Sequence, residues 1–224
     1  MLLYQIITLD GPVGVGKSSV ARRLAASLGY RHIDTGAMYR SVTLAATREK
    51  LELEDPAALA ELAKRCDIRL DYEEGRLRVW LNGEDVSGEI RDPEVSRNTS
   101  FVADCQEVRR KLVSLQRRMG LEGPSVLEGR DISTVVFPDA FWKFYLDASL
   151  EERTRRRVSQ LRGNGRDPDF EATRKAIATR DSRDRSRPYG PLKIAPDAII
   201  LDTTHLGEED VIDTIMSFVK ITSP

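Results

Sequence analysis

A glycine-rich stretch near the N-terminus constrains the fold more than any other feature of the sequence. Residues Gly11-Pro12-Val13-Gly14-Val15-Gly16-Lys17-Ser18 fit the phosphate-binding pattern G-x-x-x-x-G-K-[ST] at every fixed position. An apolar stretch over residues 4–9 precedes it and predicts a buried parallel strand. Val20, Leu24 and Leu28 follow at helical spacing. The order strand, loop, helix favours a phosphate-binding loop over a glycine-rich turn without a ligand.

The predicted loop supplies groups that suit a nucleoside triphosphate. Glycines allow a tight turn in which successive backbone N–H groups and the helix N-terminus face one anion. Lys17 can reach the β- and γ-phosphates, and the Ser18 hydroxyl can coordinate Mg²⁺. The predicted ATP-binding residues are Gly11, Pro12, Val13, Gly14, Val15, Gly16, Lys17, Ser18 and Ser19.

The overall charge is nearly balanced, but its distribution is uneven. The chain has 224 residues and a net charge of −1, so nothing global indicates nucleic acid or an anionic membrane as a partner. Residues 151–187, however, hold twelve Lys and Arg against seven Asp and Glu. A basic segment in a nearly neutral protein suggests a small polyanion as ligand.

Cysteine usage and hydropathy suggest a compartment. Cys66 and Cys105 provide neither a disulfide framework nor a metal-binding spacing, so both are expected to be reduced core residues. The first core strand begins within a few residues of the N-terminus, which argues against a signal peptide. No apolar run approaches the length of a membrane span. We therefore expect a soluble, cytoplasmic protein.

The remaining chain predicts an α/β fold. Further short strands are predicted at residues 30–34, 125–128, 142–146 and 197–201, and they alternate with helices. With the first strand they predict a doubly wound, five-stranded parallel sheet. Thr35 is a plausible N-cap for the second helix, and residues 93–120 read as helical with a break near 99–101.

The pattern changes between residues 68 and 86, where apolar and charged residues alternate. Residues 73–76 and Asn82-Gly83 look like hairpin turns, which predicts an antiparallel meander of about three strands. The pattern alone favours a decorative insertion. We predict a single unit around the phosphate-binding loop, with a core at 1–62, 103–150 and 188–224, an insert at 63–102, and a helical region at 151–187.

Several charged residues lie at predicted strand ends or flexible boundaries. Arg40, Arg130 and Arg187 suit bidentate phosphate binding, although each alone is more often a surface residue. Arg180, Asp184 and Arg187 share one helix face at spacing i, i+4, i+7, which composition alone would attribute to surface ion pairs. Glu128 and Asp131 could hold metal-bound water or could neutralise Arg130.

Five ordered stretches accompany the loop and its preceding strand. They are Asp34-Thr35-Gly36-Ala37-Met38-Tyr39-Arg40, Gly83-Glu84-Asp85-Val86-Ser87-Gly88-Glu89-Ile90-Arg91, Glu128-Gly129-Arg130-Asp131, Thr134-Val135-Val136-Phe137-Pro138-Asp139-Ala140 and Arg180-Asp181-Ser182-Arg183-Asp184-Arg185. Over essentially its whole length, the chain resembles the bacterial cytidylate kinases of the nucleoside monophosphate kinase group. This resemblance replaces the surface interpretations of Arg40 and of the Arg180 face.

The resemblance implies a site for CMP. In the family, the acceptor phosphate is held by arginines that match Arg40, Arg130 and Arg187. The ribose is contacted by residues that match Arg180 and Asp184, and the base by residues that match Ser100, Arg109 and Asp131. A carboxylate can accept from the N4 amino group of cytosine, where uracil has an acceptor. The implied CMP-binding residues are Thr35, Arg40, Ser100, Arg109, Arg130, Asp131, Arg180, Asp184 and Arg187.

The reaction implied is transfer of the γ-phosphoryl group of ATP to CMP or dCMP. The resemblance also makes the 151–187 region the lid of the kinase, so Lys17, Arg130 and the lid arginines Arg153 and Arg157 are the expected catalytic residues. Mg²⁺ is the expected cofactor, bound directly by Ser18 and through water by Glu128, with ATP as phosphoryl donor. The expected partners are small-molecule substrates only, with no nucleic acid and no membrane, and the protein is expected to be a monomer.

Two departures from the family pattern and two other functions remain open. Ser133 stands where glycine is usual and could tilt the loop after Asp131, whereas Thr35 replaces a usual serine and keeps its hydroxyl. A kinase that also accepts UMP is one alternative. A nucleotide-dependent switch of the GTPase type is the other, but it needs an Asn-Lys-x-Asp motif that the sequence lacks.

Overall fold

The computed structural model of the chain describes residues 2–73 and 76–221. Within these ranges, the strands are β1 (Ile6–Asp10), β2 (Arg31–Asp34), β3 (Ile68–Glu73), β4 (Arg76–Leu81), β5 (Glu84–Asp85), β6 (Ser125–Gly129), β7 (Trp142–Asp147) and β8 (Ile199–Asp202). The helices are α1 (Lys17–Leu28), α2 (Thr35–Arg48), α3 (Pro56–Arg65), α4 (Pro93–Asp104), α5 (Gln106–Leu121), α6 (Leu150–Gly163), α7 (Phe170–Ser186) and α8 (Glu208–Ile221). The chain divides into two compact units, Met1–His32 with Gly123–Pro224 and Ile33–Glu122.

The first unit is built on the predicted parallel sheet. The strand order is β2-β6-β1-β7-β8, with β1 in the centre. Strands β1 and β6 are buried along their full length, which explains why their residues form short, mainly apolar runs. Helices α1 and α8 contribute to the same core as β1, β6 and β7. That core includes Leu9, Val20, Leu24, Val126, Phe144, Leu146, Val211 and Ile215. Each such side chain stabilises the fold by about 1.5–3 kcal/mol on burial.

The second unit contains the predicted meander. Strands β3, β4 and β5 form a three-stranded antiparallel sheet. Asn82 and Gly83 both have positive φ angles, of 52° and 85°, as a tight hairpin turn between β4 and β5 requires. The other predicted turn, at residues 73–76, includes Glu74 and Gly75, which lie outside the described residues. The predicted division into core, insert and lid stays a prediction.

Two local predictions about helices are wrong. The N-cap of α2 is Asp34 rather than Thr35, because the Asp34 side chain accepts a 2.9 Å hydrogen bond from the backbone N–H of Ala37. The break in the 93–120 region lies at Cys105, where the backbone is extended, and not near 99–101. Thr99 stays helical and donates its hydroxyl hydrogen to the carbonyl of Val95, one turn earlier.

The other boundaries differ from prediction by only a few residues. The first strand begins at Ile6, after a short 3₁₀ turn over Leu2–Gln5, and the last strand begins at Ile199. A short π-helical turn over Ile132–Val136 follows β6 and has no counterpart among the predicted elements. None of the helices in the described ranges combines the length and apolar character needed to cross a membrane.

Candidate active site

The glycine-rich loop joins β1 to α1 within the first unit. Gly11 has a φ angle of 149°, and a Cβ atom there would lie 2.1 Å from the carbonyl oxygen of Leu146 in β7. The loop therefore requires glycine at this position, for both conformation and space. Helix α1 begins at Lys17, so its free N–H groups face the loop as predicted for an anion-binding site.

The side chain of Lys17 is buried within the phosphate-binding loop. Its ammonium group donates a 2.6 Å hydrogen bond to the carbonyl of Pro12. Burial lowers the pKa of Lys17 well below its usual range, and the positive charge of Arg130 lowers it further. An anionic phosphate in the loop would offset both effects, so the site is prepared for negative charge.

Ser18, the predicted metal ligand, is tied to the end of β6. Its hydroxyl donates a 2.7 Å hydrogen bond to Oε2 of Glu128. The other carboxylate oxygen of Glu128 lies 3.2 Å from Nε2 of His32, and both of these side chains are buried. The structure thus brings together the two residues that were predicted to serve the metal. His32 joins them, although it matches none of the motifs quoted above.

The two predicted lid arginines have different environments. Arg153 is buried, and its guanidinium donates to the carbonyls of Ala148 and Val13, at 3.0 and 3.2 Å, and to Asp181, at 2.5 Å. Val13 belongs to the phosphate-binding loop, so Arg153 braces that loop from helix α6. Arg157, in contrast, is half-buried and donates to the side chain of Gln160.

Asp181 is a buried partner that sequence reasoning did not single out. Its Oδ2 accepts the bond from Arg153, whereas its Oδ1 has no hydrogen-bond partner among the described residues. A buried carboxylate and a buried guanidinium form a strong ion pair only when their hydrogen-bond geometry is good. The ion pair between Arg153 and Asp181 joins α6 to α7.

Asp184, one turn further along α7, links two of the predicted phosphate-binding arginines. One of its oxygens accepts a 3.0 Å bond from Nε of Arg130, and the other accepts a 2.7 Å bond from Nη2 of Arg187. Burial alone would raise the pKa of Asp184, but the guanidiniums of Arg130, Arg187 and Arg180 together hold it below its usual value. The predicted Arg180 face therefore carries a charge cluster centred on the buried Asp184 and is not a surface ladder.

The second unit positions Arg40 beside the N-cap of α2. Its guanidinium donates a 2.8 Å hydrogen bond to Oδ2 of Asp34. A Cβ atom on Gly36 would lie 3.0 Å from Nη1 of Arg40 and 3.1 Å from Oδ1 of Asp34, so a larger residue there would crowd this ion pair. Thr35 is buried as the first residue of this helix.

The same unit contains the other two residues predicted to read the base. Arg109 is only 1% exposed, lies 5.2 Å from the ring centre of Tyr39 and donates to the carbonyl of Ala103. The hydroxyl of Ser100 donates to the carbonyl of Arg97 at 3.3 Å. Both side chains are thus held within their unit by local contacts.

Comparison with known proteins decides the family. A family model described as "Cytidylate kinase" matches residues 7–221. The chain belongs to the cytidylate kinase family. The predicted resemblance is confirmed.

Relatives named "Cytidylate kinase" match over almost the full length. One from Caldanaerobacter subterraneus subsp. tengcongensis is 48% identical over 96% of this chain and 94% of its own length. One from Geobacter sp. (strain M21) is also 48% identical, over 96% and 92%. A solved structure of an uncharacterized protein from Eubacterium ventriosum ATCC 27560 has a TM-score of 0.52 at 12% identity, covering 96% of this chain and 98% of that chain, and so shares the fold.

Asp10 lies beside the phosphate-binding loop, and the sequence analysis assigned no role to it. It ends the buried strand β1 directly before the loop, and its carboxylate accepts hydrogen bonds from Ile132 and Ser133. A single acidic residue at the end of an apolar strand is the sequence signal that could have drawn attention to it, because a buried carboxylate needs hydrogen-bond donors.

The donor atoms near the loop fit a divalent metal ion bound together with a nucleotide. No cluster of three or more His, Cys, Asp or Glu side chains with metal-binding geometry occurs in the ranges 2–73 and 76–221. The hydroxyl of Ser18 and the carboxylate of Glu128 are hard oxygen donors, which Mg²⁺ prefers. A kinase of this family that uses ATP requires a divalent metal in general.

Proposed function

We propose that this protein transfers the γ-phosphoryl group of ATP to CMP or dCMP, giving ADP and CDP or dCDP. The observation that carries the proposal is the match to the cytidylate kinase family over residues 7–221, in a chain whose phosphate-binding loop is intact. The curated relatives that bear this name support the same activity.

The donor nucleotide would bind at the loop between β1 and α1. The backbone N–H groups at the start of α1 and the ammonium of Lys17 would hold the β- and γ-phosphates. We propose Mg²⁺ as the metal, with Ser18 as a direct ligand and Glu128 acting through water. When bound, the ion would neutralise charge on the phosphate oxygens.

The acceptor phosphate would bind at the guanidiniums that Asp184 now holds. Arg130 and Arg187 both donate to Asp184 in the first unit, which keeps them ordered and close to each other. A phosphate dianion would provide further acceptors for the same two arginines. The corresponding role of Arg40, in the second unit, stays a prediction.

The chemistry needs little proton transfer. A phosphate monoester has a second pKa of about 6, so the acceptor oxygen is largely deprotonated at neutral pH. Catalysis would then come from positioning and charge neutralisation by Lys17, Arg130 and the lid arginines. Arg153, which contacts the loop backbone, is better placed for this role than Arg157.

Base selection would depend on Asp131. Its carboxylate would accept from the N4 amino group of cytosine and would face an acceptor of uracil. The residues Ser100 and Arg109 are proposed for the same task because of the resemblance. The monomeric state and the cytoplasmic location stay predictions.

The first test is a measurement of ADP release with Mg·ATP and CMP, dCMP, UMP, AMP or no acceptor. Fast turnover with CMP and dCMP, and slow turnover with UMP, is the expected result. A Lys17→Ala variant, purified in parallel, should lose the activity and thus exclude a contaminating kinase. Equal rates with CMP and UMP would support the broader kinase, and ADP release without an acceptor would reject the proposal.

A further inference from the structure

The carboxylate of Asp10 accepts three hydrogen bonds from the turn that follows Asp131. Oδ1 accepts from the backbone N–H of Ile132 at 2.9 Å. Oδ2 accepts from the backbone N–H of Ser133 at 2.7 Å and from its hydroxyl at 2.5 Å. Asp10 is 0% exposed and Ser133 is also buried, so bulk solvent does not reach these bonds.

The main chain of Asp10 also fixes the other side of the same segment. Asp10 pairs with Gly129 at the end of the parallel ladder between β1 and β6. The backbone of Asp10 thus neighbours Gly129, and its side chain binds Ile132. Arg130 and Asp131 are the two residues between these contacts. Asp10, at the entrance of the phosphate-binding loop, therefore contacts the chain on both sides of Arg130 and Asp131.

The turn itself holds Asp131 from within. The carbonyl of Asp131 accepts hydrogen bonds from the N–H groups of Val135 and Val136, at 2.9 and 3.2 Å. Because Asp10 binds the first two residues of this turn, a shift of Ile132 and Ser133 would move the carbonyl of Asp131 and, with it, its side chain.

The three donors are needed because the carboxylate is shielded from bulk solvent. Complete burial raises the pKa of Asp10, and the hydrogen bonds from Ser133 and Ile132 oppose that rise. The hydroxyl of Ser133 adds a side-chain donor that glycine or alanine could not supply. The serine therefore does not simply tilt the loop, as the sequence suggested it could, but ties it to β1.

We propose that Asp10 and Ser133 are positioning residues that set the place of Asp131 and Arg130, so that the Ser133 hydroxyl tunes discrimination between CMP and UMP. This inference rests on the proposed function, in which Asp131 reads the base. It assigns a specificity role to two residues that would not touch the substrate. A loosened turn would let the Asp131 carboxylate withdraw from a uracil carbonyl and so weaken its rejection.

The test compares Ser133→Ala with Ser125→Ala. Ser125 is also buried, its hydroxyl donates to the carbonyl of Gly123 at 2.8 Å, and it lies on β6, so the control loses a similar buried hydroxyl. Each purified variant is assayed for kcat and KM with CMP, UMP and ATP, and for Tm. In Ser133→Ala, the CMP-to-UMP ratio of kcat/KM should fall about three- to tenfold, the range for one lost hydrogen bond, and KM for ATP should stay unchanged.

A second variant strengthens the test. Asp10→Asn places an amide N–H₂ group against at least one of its backbone donors, so its ratio should fall further than that of Ser133→Ala. Where this buried change prevents folding, the milder Ser133→Ala carries the test alone. The ratio matters because loss of stability by itself would not change the preference between two acceptors.

Three results would overturn the inference. An unchanged CMP-to-UMP ratio in Ser133→Ala, with only a lower Tm, would show a purely structural role. The same loss of ratio in Ser125→Ala would show a general effect of buried hydroxyl removal. A wild-type protein that does not phosphorylate CMP would refute the proposed function before any variant is compared, and this inference with it.

Discussion

The hydroxyl of Ser18 donates a hydrogen bond to the carboxylate of Glu128, 110 positions further along the chain. Parallel strands β1 and β6 are neighbours, so their carboxyl ends meet at one edge of the sheet and place these residues together. The bond orients the serine oxygen that is proposed to bind Mg²⁺. Glu128, in turn, is held by His32 on the next strand, β2.

Replacement of Glu128 by Gln should weaken the use of Mg²⁺. The amide keeps the size of the side chain but removes a negative charge and one acceptor oxygen. Outer-sphere partners of metal ligands typically contribute 10- to 100-fold to affinity or activity, so we expect a loss of about that size. The measurement is the dependence of kcat on MgCl₂ concentration, together with ATP binding with and without the metal.

Glu61→Gln is the matched control, because Glu61 is exposed on α3 and pairs with Lys64 on its own helix. It should leave the metal dependence unchanged. A Glu128→Gln enzyme with a wild-type MgCl₂ curve and wild-type ATP affinity would remove Glu128 from the metal site.

Replacement of Arg153 by Lys should loosen the phosphate-binding loop. A lysine keeps the charge but cannot donate to Ala148, Val13 and Asp181 at once, as the guanidinium does. Loss of these buried bonds should cost about 1–3 kcal/mol, which corresponds to a fall in Tm of roughly 2–4 °C per kcal/mol in a domain of this size. KM for ATP should rise, as measured by steady-state kinetics.

Arg155→Lys is the control on the same helix, since Arg155 is exposed and pairs only with acidic residues of the first turn of α6 among the contacts described. Its Tm and KM for ATP should stay close to wild type. Equal effects of the two substitutions would contradict the bracing role of Arg153.

The local fold was predictable because its signals are local. The glycine loop and the hairpin residues Asn82 and Gly83 have conformations that few other residue types adopt, and the structure has them as expected. The sequence analysis placed the helix break near Thr99 and not at Cys105. Hydroxyl residues such as Thr99 can disfavour a helix, but here the Thr99 hydroxyl donates a hydrogen bond to a carbonyl of its own helix.

The partners of the charged residues were not predictable in the same way. Arg153 and Asp181 are 28 positions apart, and Asp10 and Ser133 are 123 apart, so no periodicity connects them. The resemblance assigned Arg130 and Arg187 to the acceptor phosphate, but it did not indicate that Asp184 binds both of them at once. Those pairings depend on how strands and helices pack, which the pattern of one segment does not contain.

The charge cluster around Asp184 should make stability depend on pH. The pKa of Asp184 is lower in the folded state than the usual value near 3.9, so the folded state binds fewer protons than the unfolded chain. Its contribution is therefore full above about pH 5 and is lost as the pH falls through the folded pKa. Asp184→Asn should be less stable than wild type at pH 7, by up to about 3 kcal/mol.

Urea unfolding at pH 7, 5 and 3.5 would measure this difference. The gap between wild type and Asp184→Asn should narrow towards pH 3.5, whereas Asp213→Asn, an exposed change on α8, should track wild type throughout. A gap that stays constant with pH would mean that the ionised form of Asp184 is not what stabilises the cluster.

The base-reading role of Asp131 gives the sharpest prediction for specificity. An amide at this position can turn its N–H₂ group towards the uracil carbonyl and its oxygen towards the cytosine amino group, whereas the carboxylate can only accept. Because the neutral amide oxygen is a weaker acceptor than the carboxylate, Asp131→Asn should lose CMP activity, while it gains relative use of UMP. The CMP-to-UMP ratio of kcat/KM should fall by about 10- to 100-fold, the range for one base-edge hydrogen-bonding contact.

Asp139→Asn, an exposed change eight residues later, should keep the wild-type ratio. The phosphates of CMP and UMP are identical. An equal fall in kcat/KM with both nucleotides would therefore assign Asp131 to phosphate binding or folding and not to the base.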